Sequence, residues 1–109
     1  MKIAVVGVGN MGNAFAKALA KKNVASDEDL LLFEPSPRRC EELRKENIGR
    51  VFETINSEIS KADIILLAVK PQVFEEVGQL LKLFLHEDQL IISIMAGVTV
   101  AKMTEVLNV

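Results

Sequence analysis

The chain has no tryptophan, no tyrosine, one cysteine and one histidine among its 109 residues. Each scarcity narrows the field. A single cysteine, Cys40, forms no internal disulfide, so packing must hold the fold, and a reducing, cytoplasmic setting is expected. The lone His86 lies beside two acids in a polar turn, Leu85–Gln89, and reads as a solvated loop residue, so no metal is expected. The five phenylalanines do not alternate with basic residues, and the net charge is −2. Neither a base-stacking platform nor a field attracting nucleic acid or an anionic membrane is expected. No apolar run approaches the ~20 residues of a membrane span, and the N-terminal run is too short for a signal peptide. Repeats, low-complexity tracts and nucleophile–base constellations are also missing.

Half of the residues are hydrophobic, and they fall in a regular order. Short apolar runs at 3–7, 30–34, 63–69 and 89–95 lack in/out alternation and read as strands buried on both faces. Residues 50–53 read as a further short strand. Helical patterns lie between them, at 11–22, from Pro37 to about 46, from Pro71 to about 84, and at 99–107. In the first, Ala14, Phe15, Ala18 and Leu19 mark the apolar face; in the third, Val73, Val77, Leu80, Leu81 and Phe84 do. Asn56 suits the cap of one helical turn, and Ser26–Asp29 reads as a solvated loop. Strands alternating with helices imply an α/β fold, a doubly wound parallel sheet.

Gly7, Gly9 and Gly12 form a G-x-G-x-x-G motif between the first strand and the first helix. Gly7 permits a tight turn, Gly9 lets a pyrophosphate approach the backbone, and Gly12 lets the helix sit against the strand. The free N–H groups of residues 10–12 then face the anion, with Val8, Asn10 and Met11 lining the turn. This is the Rossmann-like arrangement.

The stretch Phe33-Glu34-Pro35-Ser36-Pro37-Arg38-Arg39 decides how the adenosine ribose is read, and its residues conflict. Glu34 suits a 2′-hydroxyl and NAD(H). Ser36, Arg38 and Arg39 suit a 2′-phosphate and NADP(H). Like unit charges ~4 Å apart repel by about 4 kcal/mol at an effective dielectric of ~20. NADP(H) therefore requires Glu34 to turn away, which Pro35 is placed to enforce. NADP(H) is the preferred expectation and NAD(H) stays open.

Four stretches together, GVGNMG at 7–12, PSPRR at 35–39, ADIILLAVKPQ at 62–72 and SIMAGVT at 93–99, closely resemble the N-terminal dinucleotide-binding domain of pyrroline-5-carboxylate reductase. Coenzyme F420-dependent NADP reductases and β-hydroxyacid dehydrogenases share this domain, but the Lys70-Pro71-Gln72 junction is most similar to the pyrroline enzyme. The resemblance implies reduction of pyrroline-5-carboxylate to proline with hydride from NAD(P)H. It implies that Ala68, Val69, Lys70 and Pro71 touch the nicotinamide ribose and that Ala96 and Gly97 approach the nicotinamide. It further implies that Asn56 reaches the adenosine end and Ser36 the 2′-phosphate. It also implies a larger, oligomeric parent: residues 1–109 lack the family's helical C-terminal domain, which builds the dimer and carries the proton donor, so no catalytic residue is assigned. Alone, the chain is expected to bind cofactor without turnover. A non-catalytic nucleotide-binding module is the alternative from another class.

Overall fold

Four of the five strands are the apolar runs anticipated above, shortened at their ends. The computed structural model describes residues 1–22, 26, 28–95 and 100–107. In chain order the elements are β1 (Ile3–Val6), α1 (Asn10–Lys21), β2 (Leu30–Phe33), α2 (Pro37–Glu46) and β3 (Arg50–Phe52). A 3-10 turn (Ser57–Lys61) leads to β4 (Ile64–Leu67), α3 (Pro71–Leu81), β5 (Leu90–Ser93) and α4 (Val100–Leu107). All pairings are parallel, in the order β3-β2-β1-β4-β5. The chain leaves β1 toward one side and returns to its other side at β4. That reversal opens a crevice at the carboxyl ends of β1 and its neighbours, where open α/β sheets bind ligands.

Alternate residues of each central strand feed two cores. Ile3, Val5, Leu30, Leu32 and Leu66 pack with Ala16 of α1 and Leu43 of α2. Ala4, Val6, Leu31, Phe33, Ile65 and Leu67 pack with Phe74 and Leu81 of α3 and Val106 and Leu107 of α4. Both faces of β1 and β2 are thus covered, which is why their sequences show no alternation. Each fully buried Leu or Ile contributes about 1.5–3 kcal/mol relative to exposure. β5 differs: Leu90 and Ile92 remain 56% and 41% exposed. Their register partners Ile64 and Leu66 place them on the α1–α2 face, at the sheet's edge.

Two helix faces depart from expectation. Among the described side chains of α1, Gly12 and Ala16 are buried and Leu19 packs half-buried against the same core, whereas Ala14, Phe15 and Ala18 are exposed. Close seating of Gly12 on the end of β1 sets the rotation of the helix. In α3 the core face is Phe74, Gly78 and Leu81, while Val73 and Leu80 stay outside it. Gly78 is needed there because a Cβ would collide with the Val106 side chain of α4. At the amino end of the sheet, the Gln89 side-chain amide donates to Ile59 O and Ala62 O, both at 2.9 Å, and His86 Nε2 lies 2.9 Å from Ser60 O. His86 thus braces the turn before β5. No helix among the described residues is long and apolar enough to cross a membrane.

Candidate functional site

The turn between β1 and α1 is shaped by what its glycines lack. Gly7 has φ +88°, a conformation L residues rarely adopt, and a Cβ on it would stand 2.8 Å from Val69 Cγ1. Its N–H donates to Phe33 O at 2.8 Å, joining the turn to β2. A Cβ on Gly12 would run into the Gly7 carbonyl oxygen and stand 3.3 Å from Ala68 Cβ. Gly9 is different: a Cβ there would meet nothing within 4 Å. Gly9 is the N-cap of α1, in extended conformation, with no side chain capping the helix. A Cβ on Gly9 would thus point into open space beside the amino end of α1, where a helix carries its positive pole and its first N–H groups lack intrahelical acceptors. Asn10 and Met11 are the first residues of α1, and their side chains lie outside the described part.

The β2–α2 junction closes on this turn. The Val8 N–H donates to Glu34 Oε1 and the Ser36 N–H to Glu34 Oε2, both at 3.0 Å. Arg39 Nε donates to Val8 O at 3.0 Å, and its Nη1 reaches Glu42 Oε2 at 2.8 Å. Both backbone groups of Val8 are thus held by side chains from 26 and 31 residues away. Pro35 does not turn Glu34 away from the glycine turn. The two arginines also separate. Arg39 is turned in, while the Arg38 side chain is 91% exposed beside Glu42 at 3.7 Å. Ser36 Oγ accepts the Arg39 N–H at 3.3 Å and caps α2, whose first turn begins with Pro37. Beneath this junction the buried Cys40 Sγ donates to Glu34 O at 2.9 Å. Burial pushes its thiol pKa up, against a partial opposing pull from Arg44.

A cavity of about 350 Å³ lies at the carboxyl ends of β1, β2 and β4. Its walls include Gly7, Phe33, Pro35, Ile55 and Val69, with Glu34, Glu53 and Glu76 on them as well. Val73, Val77 and Leu80 of α3 complete it at i, i+4, i+7 spacing. The apolar stripe of α3 read in the sequence is thus split, one half for the core and one for this cavity. Thr54, Ile55 and Glu53 were not anticipated; their one signal is that they follow the last residue of β3. Asn56 follows them, and its Oδ1 accepts the Glu58 N–H at 2.9 Å, capping the 3-10 turn as expected. The Lys61 hydrogen bond, with Arg50 and Lys2 nearby, holds the Glu58 carboxyl below its ordinary range.

On the β4 side, the Ala68 N–H donates to Val6 O at 2.8 Å and Val69 backs Gly7. Lys70 is exposed and extended at the N-cap of α3, with Pro71 opening the helix. Ala96 and Gly97 lie outside the described residues. Among the described residues no group of His, Cys, Asp and Glu is arranged to hold a metal.

The model of a protein family described as NADP oxidoreductase, coenzyme F420-dependent, matches residues 2–97. The chain belongs to this family. Among curated relatives, the pyrroline-5-carboxylate reductase of Aquifex aeolicus is 34% identical across 99% of this chain and 38% of its own length. A crystal structure of the Plasmodium falciparum pyrroline carboxylate reductase with NADP bound aligns at TM-score 0.80 and 30% identity, over 98% of this chain and 38% of that one. The Coxiella burnetii pyrroline-5-carboxylate reductase aligns at TM-score 0.87 and 25% identity, over 97% and 39%. The resemblance carried by the four motifs therefore extends along the chain, which spans about two fifths of the length of these relatives. The domain is a dinucleotide-binding Rossmann domain of an oxidoreductase family.

Proposed function

We propose that residues 1–109 are the nicotinamide-dinucleotide-binding domain of a cytoplasmic, two-domain reductase that converts pyrroline-5-carboxylate to proline. The observation that carries this reading is the Gly9 cradle. A Cβ at Gly9 would meet open space at the amino end of α1, where no side chain caps the helix, and the cavity at the strand ends begins at Gly7 of the same turn. In this reading residues 7–12 hold the pyrophosphate. The adenosine lies in the cavity between Glu34 and the Val73–Val77–Leu80 stripe, near Asn56. Ala68 to Pro71 carry the nicotinamide ribose, and Ala96 and Gly97 approach the ring. The dinucleotide supplies the hydride. The chain's own residues bind and orient it, and their backbone does most of that work.

The names of the relatives support the imine as substrate. The substrate walls, the proton donor and the oligomer contacts belong, in this reading, to a helical C-terminal domain. The chain alone therefore binds the dinucleotide and does not turn over, because productive transfer requires the imine in near-attack geometry. A second reading, an F420-dependent NADP reductase, draws on the family description; the Lys70-Pro71-Gln72 junction favours the imine.

Titration of the chain with NADH and NADPH, followed by nicotinamide fluorescence, tests the binding role. With no tryptophan present the signal belongs to the cofactor. Saturable binding supports the reading, and absence of binding to both removes it. Oxidation of NAD(P)H by the protein expressed from its full reading frame tests the substrate. Turnover with pyrroline-5-carboxylate is expected; turnover with F420 or 2-oxo acids in its place would overturn the imine assignment.

A further inference from the structure

We propose that Glu34 and Arg39 form a clamp on Val8 that makes this domain select NAD(H), with Arg39 positioning the glycine turn rather than binding a phosphate. The inference rests on the dinucleotide reading above and names the form of dinucleotide.

Glu34 has no free rotamer to offer a phosphate. Each carboxylate oxygen already accepts one backbone N–H, from Val8 and from Ser36. Those donors are fixed, one by the glycine turn and the other by the N-cap of α2. Swinging Glu34 out would strip both, and a part-buried N–H without an acceptor is unfavourable. Held in place, the carboxylate retains lone pairs for the hydroxyls of an unmodified ribose. A 2′-phosphate carries further negative charge to the same spot. Glu53 and Glu76 on the same cavity add to the repulsion.

The basic residues do not reverse this. Arg39 is committed twice, to Val8 O and to Glu42. To meet a phosphate it would have to release the carbonyl that follows Gly7, loosening the turn that receives the pyrophosphate. Arg38 stands beside Glu42 with its guanidinium immersed in solvent, where its attraction for a further anion is screened. The clamp therefore ties two functions together. The acid that reads the ribose and the arginine beside it both hold the backbone on which the pyrophosphate sits.

The test is a fluorescence titration of the chain with NADH and, separately, NADPH, repeated for Glu34→Gln, Glu34→Thr, Arg39→Ala and Arg39→Lys. Far-UV circular dichroism establishes that each variant is folded. The unaltered chain is expected to bind NADH at least about tenfold tighter than NADPH. Either Glu34 variant brings the two within about threefold, mainly by tightening NADPH. Arg39→Ala weakens both by a similar factor, and Arg39→Lys recovers part of the loss without changing their ratio. NADPH binding tighter than NADH in the unaltered chain overturns the selection. Loss confined to NADPH in Arg39→Ala makes Arg39 a phosphate ligand and overturns its positioning role. Both results leave the dinucleotide reading standing. No binding of either dinucleotide removes that reading, and the inference with it.

Discussion

The glycine turn and the β2–α2 junction meet at Val8 and reach the same end by opposite means. The turn works through missing side chains. Gly7 and Gly12 leave room for protein, and Gly9 faces open space. The junction works through charged side chains that find distant partners, Glu34 on Val8 N–H and Arg39 on Val8 O. A steric requirement is local and strict: a methyl group either fits or collides. A charged side chain chooses among several partners, and the choice is made by the fold. The turn is therefore expected to fail all at once when altered, and the junction by degrees.

The largest effect is expected from Gly12→Val. The added atoms meet the Gly7 carbonyl, a backbone group with nowhere to move. Overpacking of this kind costs about 3 kcal/mol, which for a domain of this size lowers Tm by more than about 10 °C. Thermal unfolding followed by circular dichroism measures it. An unchanged Tm would show that α1 is not seated against the end of β1.

Gly9→Asp divides stability from binding. Aspartate is a good N-cap and its charge complements the helix end, so the free chain should hold or slightly raise its Tm. The same carboxylate fills the space left open for an anion. Binding of either dinucleotide should fall by more than about 100-fold, worth about 2.7 kcal/mol. Parallel loss of Tm and binding would mean that Gly9, like its two companions, serves packing.

Ser36→Ala probes the junction. Loss of the cap on α2 costs about 1 kcal/mol and about 4 °C of Tm. With Glu34 and Arg39 in place, the ratio of NADH to NADPH affinity should not move. A selective loss of NADPH would restore to Ser36 the 2′-phosphate role that the resemblance implies.

The same contrast governs what was legible before the fold was known. The strands of the two-sided core, the order of the elements and the glycine turn follow from short-range patterns, and each lies within a few residues of where those patterns put it. The partners of Glu34 and Arg39 were not legible, because they depend on how residues 26 and 31 positions apart are brought together. Composition offered two opposed charge sets and no means of deciding which would be consumed internally. The apolar stripe of α3 misled for a related reason. Val73 and Leu80 look like core residues, but the core was already filled through Phe74, Gly78 and Leu81. β2 and β5 show the same limit: LLLF and LIIS are alike as letters, yet the first is central and fully buried while the second is an edge strand with Leu90 and Ile92 exposed. Hydrophobicity reports that a residue prefers cover, and the topology decides which residues receive it.

The smallest effect tests how firmly the junction is closed. Burial raises the pKa of the Cys40 thiol, which donates to the Glu34 carbonyl. Reaction with a thiol reagent at pH 8 should therefore be slow in the folded chain and fast in denaturant, with bound dinucleotide slowing it further. The raised value also fixes the sign of the pH dependence. The stabilisation is fully present below the ordinary thiol pKa and is lost as pH rises through the folded value, because the unfolded chain ionises first. The Tm advantage of the unaltered chain over Cys40→Ala should shrink between neutral and alkaline pH. A difference that stays flat over that range, together with rapid labelling of the folded chain, would show that the floor of the junction opens to solvent and that Glu34 is held from above only.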